Sequence, residues 1–259
     1  MKDSTSMKIC IFIPAYNCER TIVKVIEDIP DLLRENATVL VVDDGSFDKT
    51  SDVVKLYKTK NGMNNLVLIR NENNLGYGGT QKVAFRHAIK NGHDIVFMVH
   101  GDKQHPGGEK LIETLKMMED NCALVYGSRM LGDPKKGGMP FYKRMGSKIL
   151  TFIENVFLET NFSEFHSGFR AYNCSYLKRL NFENLTNRYF FDTEMLILIA
   201  KEGFRVKELP IPTYYGPDSG YGISFVEGVK YSLGIFKSLM EYKLSKKGLM
   251  KSRKFFCFF

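Results

Sequence analysis

The chain has no tryptophan, no long apolar run and no paired cysteines. Each absence removes a class of protein. Without a run of ~18 apolar residues, no transmembrane helix is expected, and any membrane contact is peripheral. The first residues, MKDSTSMK, lack the apolar core of a secretory signal. Cysteines stand at 10, 18, 122, 174 and 257, an odd number with no CxxC pair. That usage predicts a reducing, cytoplasmic setting and no disulfide framework. The histidines at 87, 93, 100, 105 and 166 lack a zinc-ligand spacing. No internal repeat or low-complexity segment is present.

What is present is a globular composition with a basic excess. The chain has 259 residues and a formal net charge of +8. That length supports a large core. The excess is concentrated late. Lys135, Lys136, Lys143, Arg144 and Lys148 form one cluster. Lys243, Lys246, Lys247, Lys251, Arg253 and Lys254 form another. Such clusters attract phosphates or anionic headgroups. They lie away from any nucleic-acid recognition motif, so nucleic-acid binding is not expected.

The first ~126 residues alternate strand and helix patterns. Strands are predicted at 8–15, 39–42, 66–69, 95–99 and 123–126. Helices are predicted at 19–35, after Ser46 or Asp48, from the Gly76–Gly79 turn to Lys90, and at 109–119. Continuous apolar strands imply a parallel sheet covered on both faces, an α/β class. Ligands then bind at the carboxyl ends of the strands. After Gly127 the pattern changes. Residues 141–158 read as an amphipathic helix, with Met145, Ile149, Phe152, Ile153 and Val156 on one side. A helix at 188–201, a strand at 206–209 and a Pro/Gly-rich loop follow. A long helix then carries Val226, Val229, Leu233, Phe236 and Met240 as a stripe.

Two strand ends carry the chemistry. HGDKQHP, from His100 to Pro106, follows the strand ending at Val99. An Asp with a Gln two residues on, at a strand mouth, suits a divalent ion carrying a diphosphate. VVDDGSFDKT ends another strand in the paired acids Asp43 and Asp44. Adjacent like charges are costly to desolvate together. One of the two is expected to accept from a base or ribose and the other to cap the turn at Gly45-Ser46.

IPAYNCERTI, VVDDGSFDKT, NLGYGG, HGDKQHP, GSR, SGFRAY and FDTEM, in this order, resemble the inverting family 2 glycosyltransferases. The likeness leans to the dolichol-phosphate and polyprenyl-phosphate branch and covers residues 8 to about 215. It implies a GT-A fold with a Rossmann-like core, a nucleotide-sugar donor (UDP- or GDP-linked) and a Mg2+ or Mn2+ ion. It implies that Pro14, Ala15, Tyr16 and Glu19 line the nucleotide, together with Asp43 and Asp44. Asp102 is the implied metal holder. His100 stands where the family usually has a first Asp, and is its weaker partner. Gln104 falls near the donor phosphates or the acceptor. Arg129 and Arg170 are implied phosphate contacts, each after small residues that let an anion approach. Arg144 and Ser147 match the region that meets a lipid phosphate. Asp192 and Glu194 match an acidic motif. Asp192 would be a base if the acceptor were a hydroxyl, and an orienting group if it were already an anion. The family's closing loop corresponds to 214–222, which here holds no cation.

The expected organisation is a catalytic domain over 1–215. A loop, amphipathic helix and basic, aromatic tail follow over 216–259. The expected reaction is transfer of a sugar to a polyprenyl phosphate, by a chain peripheral to a membrane. Transfer to a saccharide hydroxyl, or a degenerate nucleotide-sugar-binding module, stay open. Homo-oligomerisation stays open as well. The tail phenylalanines 255, 256, 258 and 259, beside basic residues, are candidates to rest at a membrane interface.

Overall fold

The computed structural model describes residues 7–99, 108–118, 122–212, 215 and 225–256. The first strand, β1 (Ile9–Ala15), is followed by two short helices, α1 (Ile22–Glu27) and α2 (Asp31–Asn36). The sequence pattern predicts one helix there. Pro30 divides it, since a proline has no N–H for the ladder and favours a helix start. Then come β2 (Thr38–Asp43), α3 (Thr50–Asn61), β3 (Leu66–Arg70), α4 (Tyr77–Lys90) and β4 (Ile95–Met98). The second half contains α5 (Glu109–Met118), β5 (Leu124–Ser128), α6 (Phe141–Leu158), β6 (Arg170–Asn173), α7 (Cys174–Leu177), α8 (Phe191–Lys201), β7 (Val206–Pro210) and α9 (Phe225–Lys246).

The strands form one seven-stranded sheet in the order β3-β2-β1-β4-β6-β5-β7. β1 pairs in parallel with both β2 and β4, and β5 pairs in parallel with β7. β6 alone runs antiparallel, between β4 and β5. It was not legible as a strand, because its four residues merge into the SGFRAY motif.

Alternation along the strands feeds two cores. Cys10 and Phe12 of β1, with Leu40 and Val42 of β2, face a cluster that includes Phe85, Phe191 and Leu239. Ile11 and Ile13, with Val39 and Val41, face a second cluster with Val25, Ile26 and Leu115. Helices thus cover both faces, as near-continuous apolar strands require. Cys10 and Cys122 are fully buried, and none of the described cysteines is joined in a disulfide. Burial, with Cys174 nearby, pushes the Cys10 thiol up to about 12.

The segment after Gly222 is joined to the body. α9 buries Ile235, Leu239 and Tyr242 in the first core. The tail then folds back. Phe255 is 2% exposed, and Phe256 stacks on Tyr242 at 6.1 Å. Lys254 reaches the buried Glu194. Phe255 is therefore an interior group, and Phe256 is half-buried against the same cluster. Phe258 and Phe259 lie outside the described residues.

α6 spans the predicted residues, but its orientation differs from a simple amphipathic reading. Thr151, Glu154 and Leu158 are turned inward. Ile149, Phe152 and Val156 are exposed. The inward face is mixed: Leu150, Ile153, Phe157 and Leu158 pack on the first core, and Glu154 meets His166 and Thr193 among them.

Candidate active site

The order of strand addition reverses at β1. β2 and β3 are added on one side, and β4 on the other. The carboxyl ends of β1 and β4 therefore flank a topological switch point, where open α/β sheets bind ligands. HGDKQHP follows β4 in the chain. His100, Asp102 and Gln104 lie outside the described residues. Among the described residues, no three His, Cys, Asp or Glu side chains gather as a metal cluster.

The end of β1 is laced to the turn after β2. Asp44 N–H donates to the Ala15 carbonyl at 2.8 Å. Asn17 N–H donates to Ser46 Oγ at 2.9 Å, and Phe47 N–H returns to Asn17 Oδ1 at 3.0 Å. Asn17 holds a left-handed φ of 53° to do so. Glu19 Oε2 accepts from Lys49 N–H at the start of α3, at 3.0 Å. Glu19 thus orders the turn between β2 and α3. Pro14 is half-buried and Ala15 buried, whereas Tyr16 is 43% exposed at the rim. Tyr16 meets the Phe47 ring edge-on, 6.4 Å between centroids.

The paired acids have separate partners. Asp43, fully buried, accepts from Ser46 N–H at 2.9 Å and from the Ser51 hydroxyl. It is the turn cap. Asp44 accepts from Asn71 Nδ2, Leu75 N–H and Gly76 N–H, each at 2.8–2.9 Å. It suspends the glycine-rich loop that opens α4. Gly76 has φ +82°, and a Cβ there would sit 2.7 Å from the Asn187 carbonyl oxygen. A side chain is excluded on both counts.

A layer of ion pairs lies behind β4, β5 and β6. Arg129, one residue past β5, is held by Glu164, which is fully buried. Its Nε donates to Glu164 Oε1 at 2.7 Å, and its Nη1 to the Tyr215 hydroxyl at 3.1 Å. Burial alone would raise the Glu164 carboxyl. Arg129 reverses that and holds it below the usual range. Arg170 opens β6 and is fully buried. It donates to the carbonyls of Phe165, Ser167 and Asp192, and its Nε lies 3.8 Å from Asp192 Oδ2. The expectation that Arg170 meets a phosphate is not what this geometry shows. Its donors point at main-chain oxygens inside the protein, so it shapes the SGFR turn.

Asp192 opens α8 and is 4% exposed. Tyr77 Oη donates to its Oδ2 at 2.7 Å, and Gln81 Nε2 to its Oδ1 at 2.9 Å. Burial, and then Asp192 itself, push the Tyr77 phenol well above its usual range. Tyr77 therefore stays a donor.

Ser147 and Arg144 lie on α6. Arg144 rests over the Phe141 ring at 5.5 Å. Ser147 Oγ is 3.2 Å from His166 Nδ1, and His166 Nε2 is 2.9 Å from Glu154 Oε2. Thr193 donates to the other oxygen of Glu154 at 3.0 Å. Sequence reasoning missed Glu154, Glu164, His166, Tyr77 and Gln81. Their available signal was polarity inside otherwise apolar or glycine-rich segments.

A mostly parallel mixed sheet with one antiparallel strand, acidic strand ends at a switch point and helices on both faces is the GT-A architecture of glycosyltransferases. The model of the family Glycosyl transferase family 2 matches residues 10–180, and the chain belongs to that family. It is a glycosyltransferase. A UDP-N-acetylglucosamine–dolichyl-phosphate N-acetylglucosaminyltransferase of Methanococcus voltae is 29% identical over 248 residues, 92% of this chain and 97% of that protein. A dolichyl-phosphate beta-glucosyltransferase of Trichomonas vaginalis is 26% identical over 259 residues, 94% of this chain and 76% of that protein. Among solved structures, glucosyl-3-phosphoglycerate synthase of Mycobacterium tuberculosis, with Mn2+, UDP and glucosyl-3-phosphoglycerate, superposes at a TM-score of 0.64. It shares 17% identity, over 96% of this chain and 83% of that one, which is a likeness of fold.

Proposed function

We propose that the chain transfers a sugar from a nucleotide-diphosphate sugar to a polyprenyl phosphate, with inversion and with a divalent cation. The observation that carries this reading is likeness over nearly the whole chain to a transferase named for a dolichyl-phosphate acceptor. The site chemistry agrees with an acceptor that is already an anion.

Such an acceptor needs no general base. Asp192 is not free to be one. Both its oxygens are occupied by Tyr77 and Gln81, and it is almost fully buried. It orients α8 against α4. Ser147 and Arg144 meet the lipid phosphate at the α6 end of the site. The hydroxyl is steered by His166, and the guanidinium supplies a planar fork.

On the donor side, Tyr16 lies at the rim of the nucleotide subsite. Pro14, Ala15 and Glu19 shape its floor and wall. Asp44 sets its height by holding the 71–76 loop. Asp102, with His100, would hold the cation. The Asp102 carboxylate suits Mg2+ or Mn2+, whereas an imidazole at His100 is a poor partner for Mg2+ and shifts the preference toward softer divalent ions. When bound, such an ion offsets the charge that grows on the leaving diphosphate. Gln104 follows on the same stretch and serves the donor phosphates. Arg129, neutralised by Glu164, holds Tyr215 beside the site through its Nη1. Most of the rate then comes from positioning the acceptor oxygen in line with the leaving group.

The test is a panel of UDP- and GDP-sugars with Mn2+ or Mg2+, with and without a short-chain polyprenyl phosphate, reading released nucleotide. Release that needs both the ion and the lipid phosphate is expected. Transfer to a saccharide hydroxyl without lipid would overturn the acceptor assignment. Donor binding with no release under any condition would leave a binding module.

A further inference from the structure

The turn ahead of α8, Asn187 to Phe190, is fastened on several sides. Lys82 of α4, 7% exposed, donates through Nζ to the carbonyls of Glu183 and Leu185 at 3.1 and 2.5 Å, and to Asn187 Oδ1 at 2.8 Å. The Asn187 carbonyl accepts from Gly78 N–H at 3.0 Å. Arg188 N–H donates to Thr186 Oγ1 at 3.2 Å, and the Arg188 carbonyl accepts from Phe191 N–H at 3.1 Å as α8 begins. The Tyr189 ring lies against that of Tyr77, 5.6 Å between centroids. Phe190 packs over Gly234 of α9, where a Cβ would come within 2.5 Å of its ring. The backbone is thus fixed, yet Arg188 and Tyr189 are exposed.

The turn stands at the candidate site. Tyr77 Oη reaches Asp192 and, at 3.9 Å, Met98 Sδ at the carboxyl end of β4. Gly76 hangs from Asp44 just past β2, and a Cβ on it would sit 2.7 Å from the Asn187 carbonyl oxygen. Arg188 therefore lies between a residue that touches the Asp44 loop and one that stacks on Tyr77.

Charge singles this residue out. Arg129 is neutralised by Glu164, and Arg170 directs its donors at main-chain oxygens. Residues 211–222, after β7, hold no lysine or arginine. Among the described residues, nothing pairs with the Arg188 guanidinium or accepts from it. An unpaired arginine is ordinary on a mobile surface loop. On a fixed turn at the mouth of the sheet, it is a planar fork of donors held ready for a phosphate.

We propose that Arg188 contacts the diphosphate of the nucleotide-sugar donor. The proposal rests on the glycosyl-transfer reading and adds a residue to it. During transfer, the bond from the anomeric carbon to the diphosphate oxygen breaks, and its electron pair stays on that oxygen. The acceptor oxygen forms the new bond. The leaving diphosphate gains one negative charge, and Arg188 offsets it where Arg129 and Arg170 do not. Tyr189, backed by Tyr77, keeps the turn from swinging away.

The test is calorimetric titration of the full chain with UDP and GDP in Mn2+, and with uridine and guanosine, followed by turnover with donor and short-chain polyprenyl phosphate. Arg188→Ala should weaken the preferred nucleoside diphosphate at least about tenfold and leave the nucleoside within about twofold. Its kcat/KM for donor should fall about a hundredfold, because the contact strengthens as charge develops. The acceptor KM should stay within about twofold. Arg188→Lys should recover part of the affinity, since an ammonium offers the charge without the fork. Both variants should melt with the parent, because the side chain is exposed and unpaired. Parent-like diphosphate affinity in Arg188→Ala overturns the proposal. So does an equal loss for nucleoside and diphosphate, which would mean a disturbed turn. A rise in acceptor KM alone overturns it too, and would place the arginine on the lipid phosphate. Failure of the parent to bind any nucleoside diphosphate would remove the donor reading, and the proposal with it.

Discussion

Lys254 Nζ lies 2.8 Å from Glu194 Oε1, which ties the last described turn of the chain to the helix that carries Asp192. Glu194 is fully buried and also accepts from Ser238 Oγ at 2.7 Å and Thr186 N–H at 2.6 Å. One carboxylate therefore joins α8, α9, the tail and the segment before α8. Burial opposes the Lys254 charge, but Glu194 and Glu241 more than reverse this and raise it above its usual value. Lys254→Ala is expected to lower stability by about 2 kcal/mol, less than for a fully buried pair because Lys254 is 27% exposed. The denaturant midpoint reads it. A midpoint equal to the parent's would show the tail contact to be incidental.

His93 gives a pH dependence with a definite sign. It is 4% exposed, between the Ala88 carbonyl at Nδ1 and Thr38 Oγ1 at Nε2. Burial, opposed in part by the Ala88 contact, lowers its pKa from 6.5. The folded state therefore binds the proton less well than the unfolded chain. Its contribution to stability is whole above pH 6.5 and declines as pH falls through the lowered folded value. The stability of the parent should fall as pH drops below about 6.5. His93→Gln should flatten that slope in thermal melts, at some cost in stability at pH 8. An unchanged slope would assign the acid sensitivity to another group, such as His87, whose pKa burial also lowers.

The parallel half of the fold was legible because its strands are unbroken apolar runs and its helices have clear periods. Pro30 was visible but undervalued, since α1 and α2 share one apolar period across it. β6 was hidden because its paired neighbours, β4 and β5, come from distant parts of the chain, and four residues carry no pattern of their own. The two arginines illustrate the limit for the site. Arg129 and Arg170 were read as phosphate contacts, yet Glu164, Phe165, Ser167 and Asp192 take their donors. A sequence reports that a cation is present, whereas its partner depends on folding. α6 shows the same limit. Of the predicted apolar stripe only Ile153 packs on the core, whereas Ile149, Phe152 and Val156 are exposed, because Leu150, Phe157 and Leu158 on the neighbouring face meet the core instead.

Arg129 and Glu164 should behave as a unit. Removing the guanidinium leaves a fully buried carboxylate without its charge partner, so Arg129→Ala is expected to cost ~3–5 kcal/mol. Glu164→Gln in the same chain should recover part of that loss. Additive losses in the double-mutant cycle would show that the two do not interact. A donor affinity that falls in Arg129→Ala and stays low in the rescued double variant would mark the arginine as a phosphate contact as well.

Gly76 is a test of the loop that Asp44 suspends. Its φ of +82°, with ψ 170°, belongs to a region open mainly to glycine. Gly76→Ala adds strain of ~1–3 kcal/mol and a collision with the Asn187 carbonyl. The loop must then shift, and with it the wall proposed for the nucleotide. A raised KM for donor together with a lower melting temperature is expected. A variant that loses stability but keeps the parent's donor KM would separate this loop from donor binding.

His166 offers a distinction between holding the fold and positioning a substrate group. It bridges Ser147 and Glu154, with its ring 5.7 Å from that of Tyr231. If Ser147 meets the lipid phosphate, the imidazole sets where that hydroxyl points, and Glu154 sets where the imidazole points. His166→Asn keeps a polar group but cannot reach both neighbours. The expected result is a rise of about tenfold in KM for the short-chain polyprenyl phosphate, equivalent to about 1.4 kcal/mol. The kcat and the donor KM should stay within about twofold, because uniform acceptor binding is what is lost. Glu154→Gln should show a smaller change of the same kind, since it keeps the shape of the support and removes its charge. A fall in kcat with an unchanged acceptor KM would move His166 from positioning to chemistry. A loss of stability with no kinetic change would make the bridge structural, and would remove Ser147 from the acceptor site with it.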